Sequence, residues 1–137
     1  HLIGAEQPPK YHPEGDAYNH TMLVLDMAAE LTEHLKENRK LEIRFSALVH
    51  DLGKGLTPKQ EYPHHHGHAA KGVEPVKNLS NRIGVPISWK KAGITSSKEH
   101  MRRWKILTNV SSKKSRFYRK SKQIHIRTTR TSNSSLL

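Results

Sequence analysis

The sequence predicts an all-α fold, a helical bundle followed by a basic C-terminal tail, and three observations predict it. Apolar residues recur at spacings of three and four through most of residues 1–100, the period of a helix face. No alternating strand pattern persists over the same stretch. Charge is divided sharply: residues 1–100 hold 13 Lys/Arg and 12 Asp/Glu, a net +1, whereas residues 101–137 hold 11 Lys/Arg and no acid, a net +11.

Residues 1–15 read as a loop segment, punctuated by Gly4, Pro8, Pro9, Pro13 and Gly15. The helical body is expected over 16–107. Its first helix runs from about Asp16 to Glu37, with the Asp16 carboxylate positioned to accept free N–H groups of the first turn. His20, Val24, Met27, Leu31 and Leu35 share one face of it. A second helix is expected from Leu41 to Leu52, with Leu41, Phe45, Leu48 and Leu52 as its buried stripe. Gly53 would stop it by taking a left-handed conformation. That places His50 and Asp51 in its last turn.

A third helix is expected from near Gly67 to near Gly84. Gly72, Val76, Leu79 and Ile83 lie on one face, and His68 sits on the same side one turn earlier. A fourth starts after Pro86, with Ser88 as its expected cap, and reaches about His100, weakened at Gly93. Residues 108–137 carry little amphipathic period, and their Ser, Thr, Lys and Arg content suits a disordered low-complexity tail.

A chain of 137 residues suffices for one domain with a modest core. Without cysteine it can form neither disulfides nor thiolate metal sites, so any metal must be held by His, Asp, Glu and water. No apolar run approaches the roughly 20 residues of a membrane span, and no signal peptide is visible, so no membrane partner and a cytoplasmic setting are expected. The first residue is His, and the chain is expected to be a piece of something longer. The cationic tail would attract phosphate backbones.

The histidines carry the chemistry. Imidazole and carboxylate suit divalent metals, and a useful site needs several such ligands converging from rigid elements. His20 offers one from the first helix, His50 and Asp51 two from the second, and His68 and His100 one each from the third and fourth. A metal held there activates water. Lys54, four residues after His50, could steady a phosphate oxygen, although a cation interacting with the negative end of the second helix is the plainer reading. His64, His65 and His66 fall in the loop before the third helix. A solvated loop is the plainer reading of them, and His65 and His66 are carried forward as candidate substrate contacts. A lone histidine on an apolar face is more often a hydrogen-bonded core residue than a ligand. The weight lies in four successive helices each bringing one. His12 and His34 read as surface residues, and His125 lies in the tail.

The stretches PKYHPEGDAYNHTMLVLDMAAEL (9–31), RFSALVHDLGKGLTPKQEYPHHHGH (44–68) and RIGVPISWKKAGITSSKEHM (82–101) together resemble the HD-domain metal-dependent phosphohydrolases. They are similar in particular to the HD region of the bacterial multifunctional CCA-adding tRNA nucleotidyltransferases. The resemblance implies an HD helical bundle that hydrolyses 2′,3′-cyclic phosphates, 2′-nucleotides and other phosphate monoesters with a divalent ion such as Ni, Mn, Co or Mg. His20, His50 and Asp51 match the family's core ligand positions, His68 and His100 match positions that are ligands in some branches, and Lys54 matches a lysine often found beside the bound phosphate. Asp51 and Lys54 are thus the expected catalytic residues. The expected partners are tRNA or nucleotide phosphate esters and a parent nucleotidyltransferase domain, absent here.

The chain departs from that pattern in two respects: the nucleotidyltransferase head is expected to be missing, and whereas HD domains usually supply a further aspartate from a later helix, no acid follows Glu99. Two readings of the C-terminal stretch stand side by side, a shifted reading frame or degraded gene end, and a native basic tail that grips RNA. The alternative function is a catalytically inert tRNA- or RNA-binding fragment that uses that tail.

Overall fold

The computed structural model describes residues 1–108, with side chains as far as Arg102. Contacts separate His1–Met101 from Arg102–Leu137, and the histidine-rich site lies in the first unit. The tail expected over 108–137 falls, beyond Thr108, outside the described residues. Every regular element among the described residues is helical, as the sequence predicts.

Helix α1, Ala17–Leu31, starts where expected. Asp16 is extended, and its Oδ1 accepts from the Asn19 N–H at 2.9 Å, which satisfies an otherwise unpaired first-turn donor. Its Oδ2 accepts from the Gly4 N–H at 2.8 Å and ties the N-terminal segment to the helix. The helix stops well short of Glu37. Its last carbonyls are taken by side chains: the Thr32 hydroxyl donates to Ala28 O at 2.6 Å, and Arg44 donates to Ala29 O at 2.9 Å and to Thr32 Oγ1 at 3.2 Å. A guanidinium is also the right charge for the negative end of a helix.

Arg44 belongs to α2, Glu37–Val49, which starts four residues earlier than expected and ends before His50. A 3₁₀ turn, Leu52–Leu56, follows at once. The expected left-handed stop at Gly53 does not occur, because Gly53 sits inside that turn. Glycine is required there by close approach instead. A Cβ at position 53 would lie 1.8 Å from His68 O and 2.7 Å from Gly72 N.

The helix expected over 67–84 is two helices, α3, His68–Lys71, and α4, Val73–Ile83, parted at Gly72. Pro75 explains the break. It has no N–H to give Lys71 O and its ring would clash with that carbonyl, so a helix begun at His68 cannot run through it, whereas Pro fits the first turn of a new helix. Gly84, left-handed at φ +71°, closes α4 as expected. Helix α5, Ile87–Thr108, begins one residue after Pro86 and outruns the end expected near His100.

The main apolar core is Phe45 and Val49 of α2 against Val76 of α4, flanked by Leu48, Leu52, Leu79, Val85, Trp89 and Ile94. Gly93 admits α5 to this core, since a Cβ there would lie 3.0–3.1 Å from Phe45, Val49 and Val76. Burying side chains of this size stabilises the fold by about 1.5–3 kcal/mol each. Residues 1–15 form no helix, yet they are not a free loop. Leu2 and Ala5 pack on Ala17 with Leu52 and Tyr62, and Gln7 is buried. The stripe expected on α1 is only half-covered: Val24 and Met27 are partly buried and Leu31 is 61% exposed.

Candidate metal centre

The end of α2, the start of α3 and the middle of α5 converge on Asp51, which is 1% exposed. His68 Nε2 and His100 Nε2 lie 3.3 and 3.1 Å from Asp51 Oδ1. His50 Nε2 and His20 Nε2 lie 3.3 and 3.7 Å from Asp51 Oδ2. Two donor sets therefore share one carboxylate, His20 with His50 and His68 with His100, and within each set the donor atoms lie within 4.8 Å of one another. All five residues singled out as ligands in the sequence are thus brought to one place.

The second nitrogen of each ring fixes how it presents the first. His50 Nδ1 meets Ala47 O at 2.7 Å, His68 Nδ1 meets His65 O at 2.9 Å, and His100 Nδ1 meets Ser97 O at 2.8 Å. A carbonyl can only accept, so each Nδ1 carries a proton and donates it, and each ring turns its Nε2 edge toward Asp51. His20 Nδ1 donates in the same way to Glu14 Oε1 at 2.6 Å. This is the arrangement by which outer hydrogen bonds orient metal-ligating imidazoles.

Electrostatics follow from the enclosure. Burial pushes the Asp51 carboxyl up, but His50, His100 and His68 overcome it and hold it well below the usual carboxylate range. Burial pushes His50 down, and the Asp51 charge more than reverses that, so its pKa is raised. Burial depresses His20 despite the Glu14 contact. Burial would also raise Glu14, but hydrogen bonds from His12 and His20 bring it down to about 2. The two directions agree: a neutral His20 ring donating to an ionised Glu14 is the favoured state.

Lys54 and the histidine loop differ from expectation. The Lys54 ammonium is buried and donates to Gln7 Oε1 at 2.6 Å and to Asp51 Oδ2 at 2.8 Å, so it faces the carboxylate rather than an exposed phosphate site. His65 is 1% exposed and packs with Tyr62 (ring centroids 4.7 Å apart), its Nε2 donating to Glu6 O at 2.6 Å. Its contribution to the site is its main-chain carbonyl, which holds His68. His66 is exposed and stacks on His64 with 5.9 Å between centroids. His34 is exposed as expected, and His125 lies outside the described residues. His12 is not a plain surface residue. It is half-buried, edge-on to His20 at 4.7 Å, and donates to Glu14 Oε1 at 3.0 Å.

Sequence reasoning missed Glu14 and Gln7. Both lie in the N-terminal loop, where no helical period flags a face, although Glu14 falls inside the HPEGD signature.

The residues fit a divalent cation. Asp51 Oδ1 is buried with no hydrogen-bond partner. His68 Nε2 and His100 Nε2 stand 3.0 Å apart, and with both protons committed to carbonyls neither has a hydrogen to give the other. Lone pairs so placed require either an added proton or a shared metal ion. Four imidazole nitrogens and a carboxylate are a donor set for Mn, Fe, Co, Ni or Zn.

The HD domain family model matches residues 17–131, past residue 101, where the last of the resembling stretches ends. The chain is 52% identical over 89 residues to a multifunctional CCA protein of Mannheimia succiniciproducens, a span of 65% of this chain and 21% of that protein. It is 46% identical over 99 residues to the multifunctional CCA protein of Shewanella frigidimarina (72% and 22%) and 41% identical over 107 residues to that of Acinetobacter baumannii (78% and 24%). The chain thus spans about a fifth of the length of the curated relatives it matches. No solved structure matches it.

Proposed function

Because the chain belongs to the HD domain family, a family of metal-dependent hydrolases, we propose that it hydrolyses phosphate esters at nucleotide or RNA ends: 2′,3′-cyclic phosphates, 2′-nucleotides and related monoesters. The observation that carries this reading is the convergence of four imidazole Nε2 atoms on one buried aspartate. His20, His50, Asp51, His68 and His100 would hold the ion. When bound, a divalent ion supplies the Lewis-acid charge that polarises a phosphoryl oxygen and acidifies water. An imidazole-rich set favours Mn, Co or Ni over Mg, which prefers oxygen.

The chain's own residues do the rest. Asp51 serves both donor sets. Lys54 acts on Asp51, offsetting its charge and fixing its carboxylate. Gln7 holds Lys54, and donates to Gly15 O at 3.2 Å, so the N-terminal loop braces the centre. With His65 buried, His66, exposed beside α3, is the remaining one of the two candidate substrate contacts. The parent protein, in this reading, is a tRNA-processing enzyme of the CCA-adding kind, cytoplasmic like its substrate, and nucleotidyl transfer is not assigned to this chain. In this reading the body of the phosphohydrolase is residues 16–107.

The test is turnover of a nucleoside 2′,3′-cyclic phosphate with Ni, Mn, Co and Mg supplied in turn. Wild type should turn over with at least one of the first three, and Asp51→Ala should lose both metal and activity. Full turnover by metal-free Asp51→Ala would refute the reading. A second reading, an RNA-binding fragment, draws on the 11 Lys/Arg and no acids of residues 101–137. Deleting residues 109–137 separates the two. It should abolish RNA binding while leaving ester hydrolysis intact if both functions exist, and the second reading fails if RNA binding is unchanged.

A further inference from the structure

Three of the four rings facing Asp51 are held by main-chain carbonyls, at Ala47, His65 and Ser97. No side-chain substitution removes those acceptors. His20 is the exception, because its Nδ1 is held by the Glu14 carboxylate at 2.6 Å. From this asymmetry we infer that Glu14 is the positioning residue of the centre: it fixes the tautomer of His20 and so decides whether the α1 ligand is delivered. The inference rests on the metal-centre reading above.

The local chain is built to hold that carboxylate. Glu14 lies six residues before His20, too far along an unbroken helix to meet it. The chain instead turns at Gly15, whose φ of +111° suits only glycine. Asp16 then caps α1, and Ala17 N–H donates to Ala5 O at 2.9 Å, which pins the turn to the N-terminal segment. The result folds Glu14 back over the first turn of α1, with its side chain 8% exposed. His12 Nδ1 donates to the same oxygen at 3.0 Å and leaves Oε1 between two rings.

An ionised carboxylate cannot donate. His20 must therefore keep its proton on Nδ1 and present Nε2 as a lone pair. Without Glu14 the hydrogen bond that selects that tautomer is gone, and a ring protonated at Nε2 cannot bind a cation through that nitrogen. A carboxylate also makes the ring a stronger donor than an amide would, and loss of such partners weakens metal binding by about 10- to 100-fold.

The experiment compares wild type, Glu14→Gln, Glu14→Ala and Asp16→Ala. Asp16→Ala removes the α1 cap beside Glu14 without touching His20, and so reports simple loosening of the loop. Long-range ¹H–¹⁵N spectra of the metal-free proteins read the histidine tautomers, and calorimetric titration with Co²⁺ and Mn²⁺ reads affinity. We expect an Nδ1–H His20 in wild type and Asp16→Ala, and a changed tautomer in Glu14→Ala. Affinity should fall about 10- to 100-fold in both Glu14 variants and far less in Asp16→Ala. Wild-type affinity and an unchanged His20 tautomer in Glu14→Ala overturn the inference while leaving the metal centre intact. Equal losses in Asp16→Ala and Glu14→Ala overturn it in favour of a structural role. Failure of the wild type itself to bind either ion is a failure of the underlying reading instead.

Discussion

Substituting Gly53→Ala tests how the fold positions His68. The added Cβ would stand 1.8 Å from His68 O and 2.7 Å from Gly72 N, both main-chain atoms that cannot rotate away. Ordinary contact needs about 3.4 Å, so the 3₁₀ turn and α3 must part by roughly 1.5 Å at that point. Two costs follow. Overpacking destabilises by about 1–3 kcal/mol, and rigid main chain puts this site at the upper end. For a body of about 100 residues that lowers Tm by roughly 10 °C or more. The second cost is to the centre: a metal–imidazole bond is only about 2.0–2.1 Å long, so a shift of that size removes His68 from a shared ion. Gly84→Ala is the control. Nothing lies within 4 Å of its Cβ, and only the left-handed backbone at φ +71° is strained, which costs about 1–2 kcal/mol. Calorimetric Mn²⁺ titration with thermal melts separates the two. Gly53→Ala should lose affinity as well as stability, and Gly84→Ala stability alone. Wild-type melting and affinity in Gly53→Ala would refute the close-approach argument.

Other outcomes follow from the same geometry. Arg44→Ala removes the donors to Ala29 O and Thr32 Oγ1 and should destabilise by about 1–2 kcal/mol, read by urea unfolding, with little change in metal affinity. In chelator-treated protein, Glu14 is held at about 2 against an ordinary 4.5. A depressed carboxyl stabilises the fold above its unfolded pKa, and that contribution, up to about 3 kcal/mol, is lost as pH falls from 4.5 toward 2. Glu14→Gln should flatten that acid limb, and an unchanged limb contradicts the assignment. Lys54→Met leaves Asp51 Oδ2 without its ammonium and should cost about 3 kcal/mol or more in metal-free protein, with part recovered when a divalent ion is added. No recovery on adding metal would contradict a shared role for Asp51.

The converging His/Asp cluster was legible because each member sat where a pattern had meaning. His20 lay on an apolar stripe, His50, Asp51 and His100 at the expected ends of helices, and His68 one turn before an apolar face. The bundle was legible for the same reason, down to the Asp16 cap and the Gly84 stop. What escaped depends on contacts that no local pattern records. The Lys54 partner Gln7 is 47 residues away in sequence, and Glu14 reaches His20 only through a turn at Gly15. The direction of Lys54 was not in the spacing either, since a lysine one turn after His50 can face out or in. Gly53 read as a helix stop because a glycine after an apolar run usually is one, whereas its real constraint is set by α3. His65 looked like a solvated histidine among three, and burial beneath Glu6 and against Tyr62 can be seen only in three dimensions.

The most direct measurement is calorimetric titration of the chelator-stripped chain with Mn²⁺, Co²⁺ and Ni²⁺ beside an Asp51→Ala variant. Wild type should bind these ions saturably and the variant should bind none, because one buried carboxylate faces all four imidazoles. Equal binding by both proteins, or none by wild type, would contradict it.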